Sequence, residues 1–295
     1  MPQYSIFGLS LHSEIDFPEL KPGNSEPPDF TVSVGKLPHS LKHIRDRGIC
    51  YQVNEEQVML SVDTVGSILI HNGRTVIVDP DPSYDRDLLR LVLLNNVPGV
   101  ILHQRKYSVF QACAVIINNR CYAFAGATGS GKSTLMAAFQ KLGFQVVTDD
   151  VCALKMADNA QPKVLVGYPF IQIWRKTQLS LKIDRRRCKR VRSGLEKFFM
   201  PIAPPTVNPE LHYICLLKRS RHYDEIKLTQ LGPADSLTAL ITCTFQQQFM
   251  KGMGLLPFQL PSYSAICNSV PTYRLSIPSS FTIFDSLIDR ITQIE

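Results

Sequence analysis

One short run of residues limits more than any other what this chain can fold into: Gly126-Ala127-Thr128-Gly129-Ser130-Gly131-Lys132-Ser133-Thr134. Its G-x-x-x-x-G-K-[ST] spacing is that of a phosphate-binding loop, in which glycines allow backbone N–H groups to close around phosphate oxygens. The lysine offers a positive charge to the terminal phosphates, the serine offers a hydroxyl to Mg²⁺, and the helix that follows points its positive end at the same anion. We predict that residues 126–134 bind a nucleotide and that Ser133 is a metal ligand.

Both flanks of this run fit the motif. Residues 121–125 are apolar and predict a buried strand, and the apolar residues after the loop have helical spacing up to Gly143, which can end the helix. Upstream, the apolar residues 112–117 and the turn pair Asn118-Asn119 predict a β-hairpin that leads into the loop strand. A doubly wound nucleotide-binding fold would have a helix there, so the hairpin indicates a mixed sheet.

Two neighbouring acids, Asp149 and Asp150, follow the predicted strand at residues 144–148. Only one short helix separates them from Lys132, so we expect their strand to lie beside the loop strand. For phosphoryl transfer, one carboxylate can hold Mg²⁺ and the other can accept the proton of an attacking hydroxyl. The alternative is a solvated pair of acids in a loop or at a helix N-terminus.

With these segments the chain resembles the HPr kinase/phosphorylase superfamily. Within it, the chain is most similar to the HPr-serine-kinase-like enzymes of ribosomal peptide biosynthesis, including those that act on lasso-peptide precursors. Further similar segments are Phe7-Gly8-Leu9, residues 66–73, Leu102-His103-Gln104-Arg105, and Gly167-Tyr168-Pro169 with Trp174. The resemblance implies an α/β (α+β) fold with a mixed sheet, in which a P-loop kinase core of the HPr kinase/PEP carboxykinase type follows a β-rich N-terminal region.

The resemblance also implies an activity. It is that of an ATP/Mg²⁺-dependent kinase that transfers the γ-phosphate to a Ser or Thr hydroxyl of a peptide or protein, such as a lasso-peptide precursor. The catalytic positions would be Lys132, Asp149, Asp150 and Gln111. We assign Asp149 to the metal, together with Ser133, and Asp150 to the role of base.

Gln111 departs from the family pattern. Where the family usually has His-Ala-Ser-Ala-Val, this chain has Gln111-Ala112-Cys113-Ala114-Val115. An amide cannot titrate or carry charge, so it cannot replace a histidine in proton handling, although it can orient a phosphate or a hydroxyl. One alternative is therefore a nucleotide-binding regulatory or scaffold protein with weak or lost kinase activity. Another is a phosphorylase or ATPase that uses the same site.

Composition and patterning bound the organisation of the chain. With 295 residues, 44% of them hydrophobic, it can bury a full core, and we predict a β-rich region at 1–100 and a catalytic domain at 101–295. The early acids Glu14 and Asp16 argue against a secretory signal, and the apolar runs are too short to span a membrane, so we expect a soluble cytoplasmic protein. The eight cysteines contain no C-x-x-C pair, which gives little indication of a structural metal site.

Periodicity predicts the larger elements. Strands are expected at 58–62, 67–71 and 75–78, with a hairpin turn at His71-Asn72-Gly73-Arg74, and a helix at 85–94. Helical spacing of apolar residues also predicts a single late helix across 237–249 and a last helix across 284–294.

A basic segment runs from Lys182 to Lys197, with eight basic and two acidic residues, in a chain of formal net charge +7. It can be a solvated loop or helix face, as charge runs usually are. It can also bind an acidic peptide acceptor or nucleotide phosphates with the help of electrostatic steering. Nucleic acid is disfavoured as a partner because no aromatic residues that would stack bases alternate with these charges. The oligomeric state is not indicated.

Overall fold

The computed structural model describes residues 1–23, 27–156, 161–220, 225–278 and 284–293. The chain forms two units, one from residues 1–109 and 246–260 and the other from residues 110–245 and 261–295. The segment 246–260 thus belongs to the first unit although it comes late in the chain, whereas the sequence prediction had a single boundary between residues 100 and 101.

The first unit is built on a sheet with the strand order β3-β1-β2-β4-β9-β8-β7-β6-β5. Its elements are β1 Gln3–Ile6, β2 Leu9–Ser13, β3 Lys21–Pro22, β4 Phe30–Val34, β5 Asp46–Arg47, β6 Tyr51–Val53, β7 Gln57–Val62, β8 Gly66–His71, β9 Thr75–Pro80 and α1 Arg86–Gln104. β8 and β9 pair in antiparallel orientation, and Asn72 and Gly73 have φ values of 50° and 64°. The predicted hairpin turn is therefore confirmed, since both central residues adopt the left-handed conformation that it requires.

Helix α1 is longer than the sequence predicted. Its N-cap is Asp85, whose side chain accepts hydrogen bonds from the backbone N–H groups of Asp87 and Leu88. The predicted end near residue 94 is wrong, because the helix continues through Pro98 to Gln104. An internal proline costs about 3 kcal/mol, and we attribute the continuation to the burial of the residues from 97 to 103.

The second unit contains a sheet with the order β14-β13-β10-β11-β18-β20-β19, and β12 also pairs with β10. From residue 108 on, the elements are β10 Ser108–Ile117, β11 Arg120–Ala125, α2 Lys132–Lys141, β12 Gln145–Thr148, β13 Val151–Met156, β14 Pro162–Val164, β15 Phe170–Trp174, α3 Arg175–Ser180, β16 Lys189–Arg190, β17 Lys197–Pro201, β18 Leu211–Ser220, β19 Lys227–Gln230, α4 Pro233–Thr242, α5 Gln247–Gly252 (in the first unit), α6 Leu256–Ser269 (in the first unit up to residue 260), β20 Thr272–Pro278 and α7 Phe284–Thr292. β10 and β11 are antiparallel, whereas β11 pairs with β18, and β18 with β20, in parallel. The mixed α/β fold and the hairpin before the loop are confirmed.

The strand that pairs with β12 is not the one that the sequence predicted. β12 does not lie beside the loop strand β11 but pairs with β10 in antiparallel orientation. The reason is topological, because β11 already has its hairpin partner β10 on one side and the parallel strand β18 on the other. The two acids after β12 are therefore one strand further from the loop strand than predicted.

Strand β11 is buried on both faces. Tyr122 and Phe124 belong to a core cluster that includes Phe139 of α2 and Leu287 of α7. The alternate residues 121, 123 and 125 belong to a second cluster, which includes Tyr263 of α6. Since successive side chains of a strand point to opposite faces, this double burial explains why the whole strand is apolar.

The predicted late helix is two helices. α4 ends at Thr242 and α5 begins at Gln247, and between them Gln246 has a φ of 45°, in the left-handed region. A single helix across 237–249 is therefore wrong. The last predicted helix corresponds to α7, and Ile294 at its predicted end lies outside the described residues.

A smaller antiparallel sheet has the order β15-β17-β16. It contains the end of the basic segment, of which residues 185–187 form a 3₁₀ turn and residues 189–190 form β16. No helix among the described residues is long and apolar enough to cross a membrane.

Candidate functional site

The glycine-rich loop connects the buried strand β11 to helix α2, as its motif requires. Gly129 and Gly131 have φ values of 84° and 97°, which side chains other than glycine rarely tolerate. A Cβ atom on Gly126 would lie 3.0 Å from the carbonyl oxygen of Leu217, and one on Gly131 would lie 3.0 Å from Nη1 of Arg219. The glycines therefore set both the turn of the loop and the close approach of β18.

Lys132 is held inside this loop. Only 5% of the residue is exposed, and its Nζ donates hydrogen bonds to the carbonyl oxygens of Gly126, at 2.7 Å, and Ala127, at 3.0 Å. The loop's own carbonyls thus fix the ammonium group close to the backbone that would surround a phosphate. Within the loop, Oγ of Ser130 is buried without a hydrogen-bond partner among the described residues.

Gln111 contacts the loop from β10. Its Nε2 donates to Oγ1 of Thr128 at 2.6 Å. Its backbone is fixed as well, because Gly126 N–H donates to its carbonyl at 3.2 Å and its own N–H donates to the carbonyl of Cys243 at 2.7 Å. The Gln111 side chain therefore lies against the glycine-rich loop and is hydrogen-bonded to it.

Asp149 is a buried acid beside the start of α2, with 5% of the residue exposed. Its Oδ2 accepts a hydrogen bond from Gln172 N–H at 3.2 Å, whereas its Oδ1 has no hydrogen-bond partner among the described residues. Burial, and then the charge of Asp150, raise the pKa of Asp149 to about 7, while the Gln172 N–H, the Ser133 hydroxyl and the Lys197 charge lower it.

This arrangement fits a divalent cation. A buried carboxylate oxygen without a hydrogen-bond donor is unfavourable. A cation beside it would favour the charged form of the carboxyl group. The Ser133 hydroxyl lies near enough to this carboxyl group to lower its pKa, so the hydroxyl and the carboxylate lie in the same part of the site. Carboxylate and hydroxyl oxygens are ligands that Mg²⁺ accepts.

Asp150 differs from its neighbour because it is exposed and has a φ of 65°, in the left-handed region. The turn between β12 and β13 holds it there through hydrogen bonds from Val151 N–H to the Asp149 carbonyl, at 2.8 Å, and from Thr148 Oγ1 to the Val151 carbonyl, at 2.6 Å. Backbone in this region is strained for an aspartate, and such strain is concentrated at functional sites. One acid therefore lies inside the protein and the other at its surface.

Lys197, which the sequence grouped with the basic segment, lies near these acids. Its Nζ is 5.7 Å from the centre of the Trp174 ring. Burial lowers the pKa of Lys197, and the charges of Asp150 and Asp149 raise it. The pairing of β15 with β17 explains the position, because it sets Lys197 opposite Trp174. No sequence signal separated this lysine from the rest of its segment.

The remaining basic segment is exposed. Arg185, Arg186, Arg187 and Lys189 have exposed side chains, so most of this charge lies at the protein surface. Glu196 links two other arginines, since its carboxylate lies 2.6 Å from Arg190 and 3.2 Å from Arg175. The exposed basic residues thus extend from the small sheet that contains Lys197 to residues 185–187.

The structure brings the predicted site residues into one region of the second unit: Gln111 contacts Thr128, Lys132 contacts Gly126, and Ser133 lowers the pKa of Asp149. Besides Lys197, sequence reasoning missed Arg219, near the end of β18. A basic residue at the carboxyl end of an apolar strand could have indicated it, because nucleotides bind at that edge of α/β sheets. The roles assigned to all these residues stay predictions.

Comparisons with known proteins give a distant structural likeness. No family model matches the chain, and no curated protein matches it. Among solved structures, it is similar to the HPr(Ser) kinase/phosphatase from Coxiella burnetii, with 15% sequence identity over 62% of this chain and 93% of that chain and a TM-score of 0.34. A likeness at this level is too distant to assign the chain to a family.

Proposed function

We propose that this protein is an ATP/Mg²⁺-dependent kinase that transfers the γ-phosphate to a Ser or Thr hydroxyl of a peptide or protein. The observation that supports it most is the buried Asp149 carboxylate, whose pKa the Ser133 hydroxyl of the glycine-rich loop lowers and which has one oxygen without a partner among the described residues. A phosphate-binding loop next to such a carboxylate suits a nucleotide bound together with a cation. A lasso-peptide precursor as the acceptor is suggested by the sequence resemblance alone.

The residues have separate tasks in this proposal. Lys132 and the loop backbone bind the phosphates of ATP, while Ser133 and Asp149 would hold Mg²⁺, which would neutralise phosphate charge. The exposed Asp150 accepts the proton of the acceptor hydroxyl as its oxygen forms a bond to the γ-phosphorus. The bond between that phosphorus and the β–γ bridging oxygen breaks, and ADP leaves.

Transfer can be tested by mass spectrometry. The wild-type chain, ATP and Mg²⁺ are incubated with a set of Ser- and Thr-containing peptides, including any small precursor peptide encoded beside the gene. Lys132→Ala is expected to abolish phosphopeptide formation and to leave the fold intact, and unchanged transfer in this variant would contradict the proposal. Asp150→Asn is expected to lose transfer but still bind ATP. If only Asp149→Asn behaves in that way, the roles of the two acids are exchanged.

Gln111 favours a second candidate, a nucleotide-binding regulatory or scaffold protein with weak or lost kinase activity. Its amide is hydrogen-bonded to Thr128 of the loop and cannot accept a proton as an imidazole does. A large gain in turnover for Gln111→His would support this candidate, whereas rapid wild-type turnover would exclude it. Release of inorganic phosphate without any acceptor would instead indicate an ATPase or phosphorylase.

We further propose that the basic segment binds an acidic acceptor. Its exposed arginines lie on the stretch of chain that leads to Lys197 and thus to the acids of the site. The double variant Arg185→Glu/Arg187→Glu is expected to raise KM for an acidic peptide, to reduce its salt dependence and to leave kcat unchanged. A matched control is Lys141→Glu/Lys155→Glu, which changes the net charge of the protein by the same amount at exposed positions outside the segment. Equal effects of the two variants would contradict binding at this segment.

A further inference from the structure

Arg219 lies where the carboxyl ends of two parallel strands meet. In the parallel pairing of β11 with β18, Ala125, the last residue of β11, lies opposite Leu216. Both residues therefore lie at the same edge of the sheet. The phosphate-binding loop begins directly after Ala125, and Arg219 follows Leu216 by three positions. The strand register thus places this arginine beside the loop.

The side chain of Arg219 crosses the last glycine of the loop. A Cβ atom on Gly131 would lie 3.0 Å from Nη1 of Arg219 and 3.5 Å from its Cδ. Any residue other than glycine at position 131 would therefore displace the guanidinium group of Arg219. Because Gly131 is the N-cap of α2, the guanidinium lies at the N-terminal end of that helix.

Positive charge accumulates at this end of α2. The helix N-terminus has a partial positive charge, Lys132 Nζ is held by the loop carbonyls, and the half-buried Arg219 adds a third positive group. Burial lowers the pKa of Arg219, yet an arginine stays protonated in proteins. The N-terminal end of a helix with basic side chains beside it favours a bound anion.

We propose that Arg219 is a phosphate-binding residue of the nucleotide site and contacts the terminal phosphates of ATP together with Lys132. This inference rests on the nucleotide binding proposed above. A planar guanidinium can donate two parallel hydrogen bonds to phosphate oxygens, which an ammonium cannot. In the transfer described above, Arg219 stabilises negative charge on the phosphate oxygens while the bond to the bridging oxygen breaks.

Calorimetric titration of the full chain with ATP, ADP and AMP tests this inference. Arg219→Met is expected to weaken ATP binding roughly tenfold to a hundredfold, the range for a lost hydrogen bond to a charged group. The loss should be smaller for ADP and absent for AMP, because the contact is to the terminal phosphates. Arg219→Lys should give an intermediate ATP affinity. Lys218→Met is the matched control, since it removes a neighbouring exposed cation of the same strand, and it should bind all three nucleotides like the wild type.

The possible results separate this inference from the proposed function. If Arg219→Met binds ATP within about twofold of the wild type while Lys132→Met has lost binding, Arg219 does not bind phosphate and nucleotide binding stands. If the wild type binds no nucleotide, or Lys132→Met binds ATP as the wild type does, the proposed function fails and the inference with it. Equal weakening for ATP and AMP, with a lower melting temperature, indicates a structural role and overturns the inference.

Discussion

At the scale of single residues, burial of the Asp149 carboxyl group opposes folding at neutral pH. Its pKa rises from 3.8 to about 7, chiefly through burial, so the folded chain resists ionisation of this carboxyl group. The resulting loss of stability is absent below about pH 4, grows as the pH rises, and is complete above about pH 7. Asp149→Asn is therefore expected to stabilise the nucleotide-free chain at about pH 8 by up to about 4 kcal/mol, at about 1.4 kcal/mol for each pKa unit.

Thermal denaturation without Mg²⁺ at about pH 4.5 and about pH 8 measures this difference. The melting temperature of Asp149→Asn should exceed that of the wild type clearly at the higher pH and only slightly at the lower one. Asp63→Asn is the control, because Asp63 is exposed and remote in sequence from the site, and its replacement should change stability little at either pH. An equal gain for Asp149→Asn at both values would show that ionisation is not the cause.

At the scale of elements, the junction of the loop with α2 separates two effects of glycine. Gly129 and Gly131 both have positive φ values, but a Cβ atom meets Arg219 at Gly131 and nothing within 4 Å at Gly129. Gly129→Ala should cost about 1 kcal/mol through backbone strain alone. Gly131→Ala should cost more and should also weaken ATP binding, because it displaces the guanidinium.

Urea denaturation and ATP titration of the two variants give the comparison. If Gly131→Ala and Gly129→Ala lose the same stability and the same affinity, the contact with Arg219 has no importance. If Gly131→Ala loses stability but keeps wild-type affinity for ATP, Arg219 adapts without effect on the nucleotide.

Elements set by local chemistry were predictable from the sequence. The hairpin turns at Asn72-Gly73 and Asn118-Asn119 have the positive φ values that their residues favour, and Gly143 follows α2 with a φ of 91°. The length of α1 and the neighbour of β12 were mispredicted because both depend on burial and pairing with distant parts of the chain. In the site, the glycine-rich loop was predictable because it has its own motif. Lys197 and Arg219 were not, because strand register places them there and register cannot be read from single residues.

At the scale of the whole molecule, the first unit depends on residues supplied late in the chain. Phe249 of α5 packs edge-on against Tyr51 at 5.2 Å between ring centres, and a Cβ atom on Gly252 would already touch Val53. Phe249→Ala should destabilise this unit by about 3–5 kcal/mol, as expected for a buried phenylalanine. Phe258→Ala, in the same segment but at a position 68% exposed, should change stability by less than about 0.5 kcal/mol.

Hydrogen exchange at the backbone amides of β6 and β7 reports on the first unit without a signal from the second. Faster exchange in Phe249→Ala, with wild-type exchange in Phe258→Ala, is the expected result. Unchanged protection in Phe249→Ala would mean that segment 246–260 adds little to the stability of this unit.

The placement of segment 246–260 has a consequence for synthesis on the ribosome. The strands of the first unit leave the ribosome early, but α5 follows only after the whole of residues 110–245. At roughly 5–20 residues per second, these strands wait on the order of ten seconds for Phe249 and its neighbours. During that interval their apolar faces and unpaired edges are open to association with other nascent chains. The yield of this protein should therefore depend on chaperones that bind nascent chains.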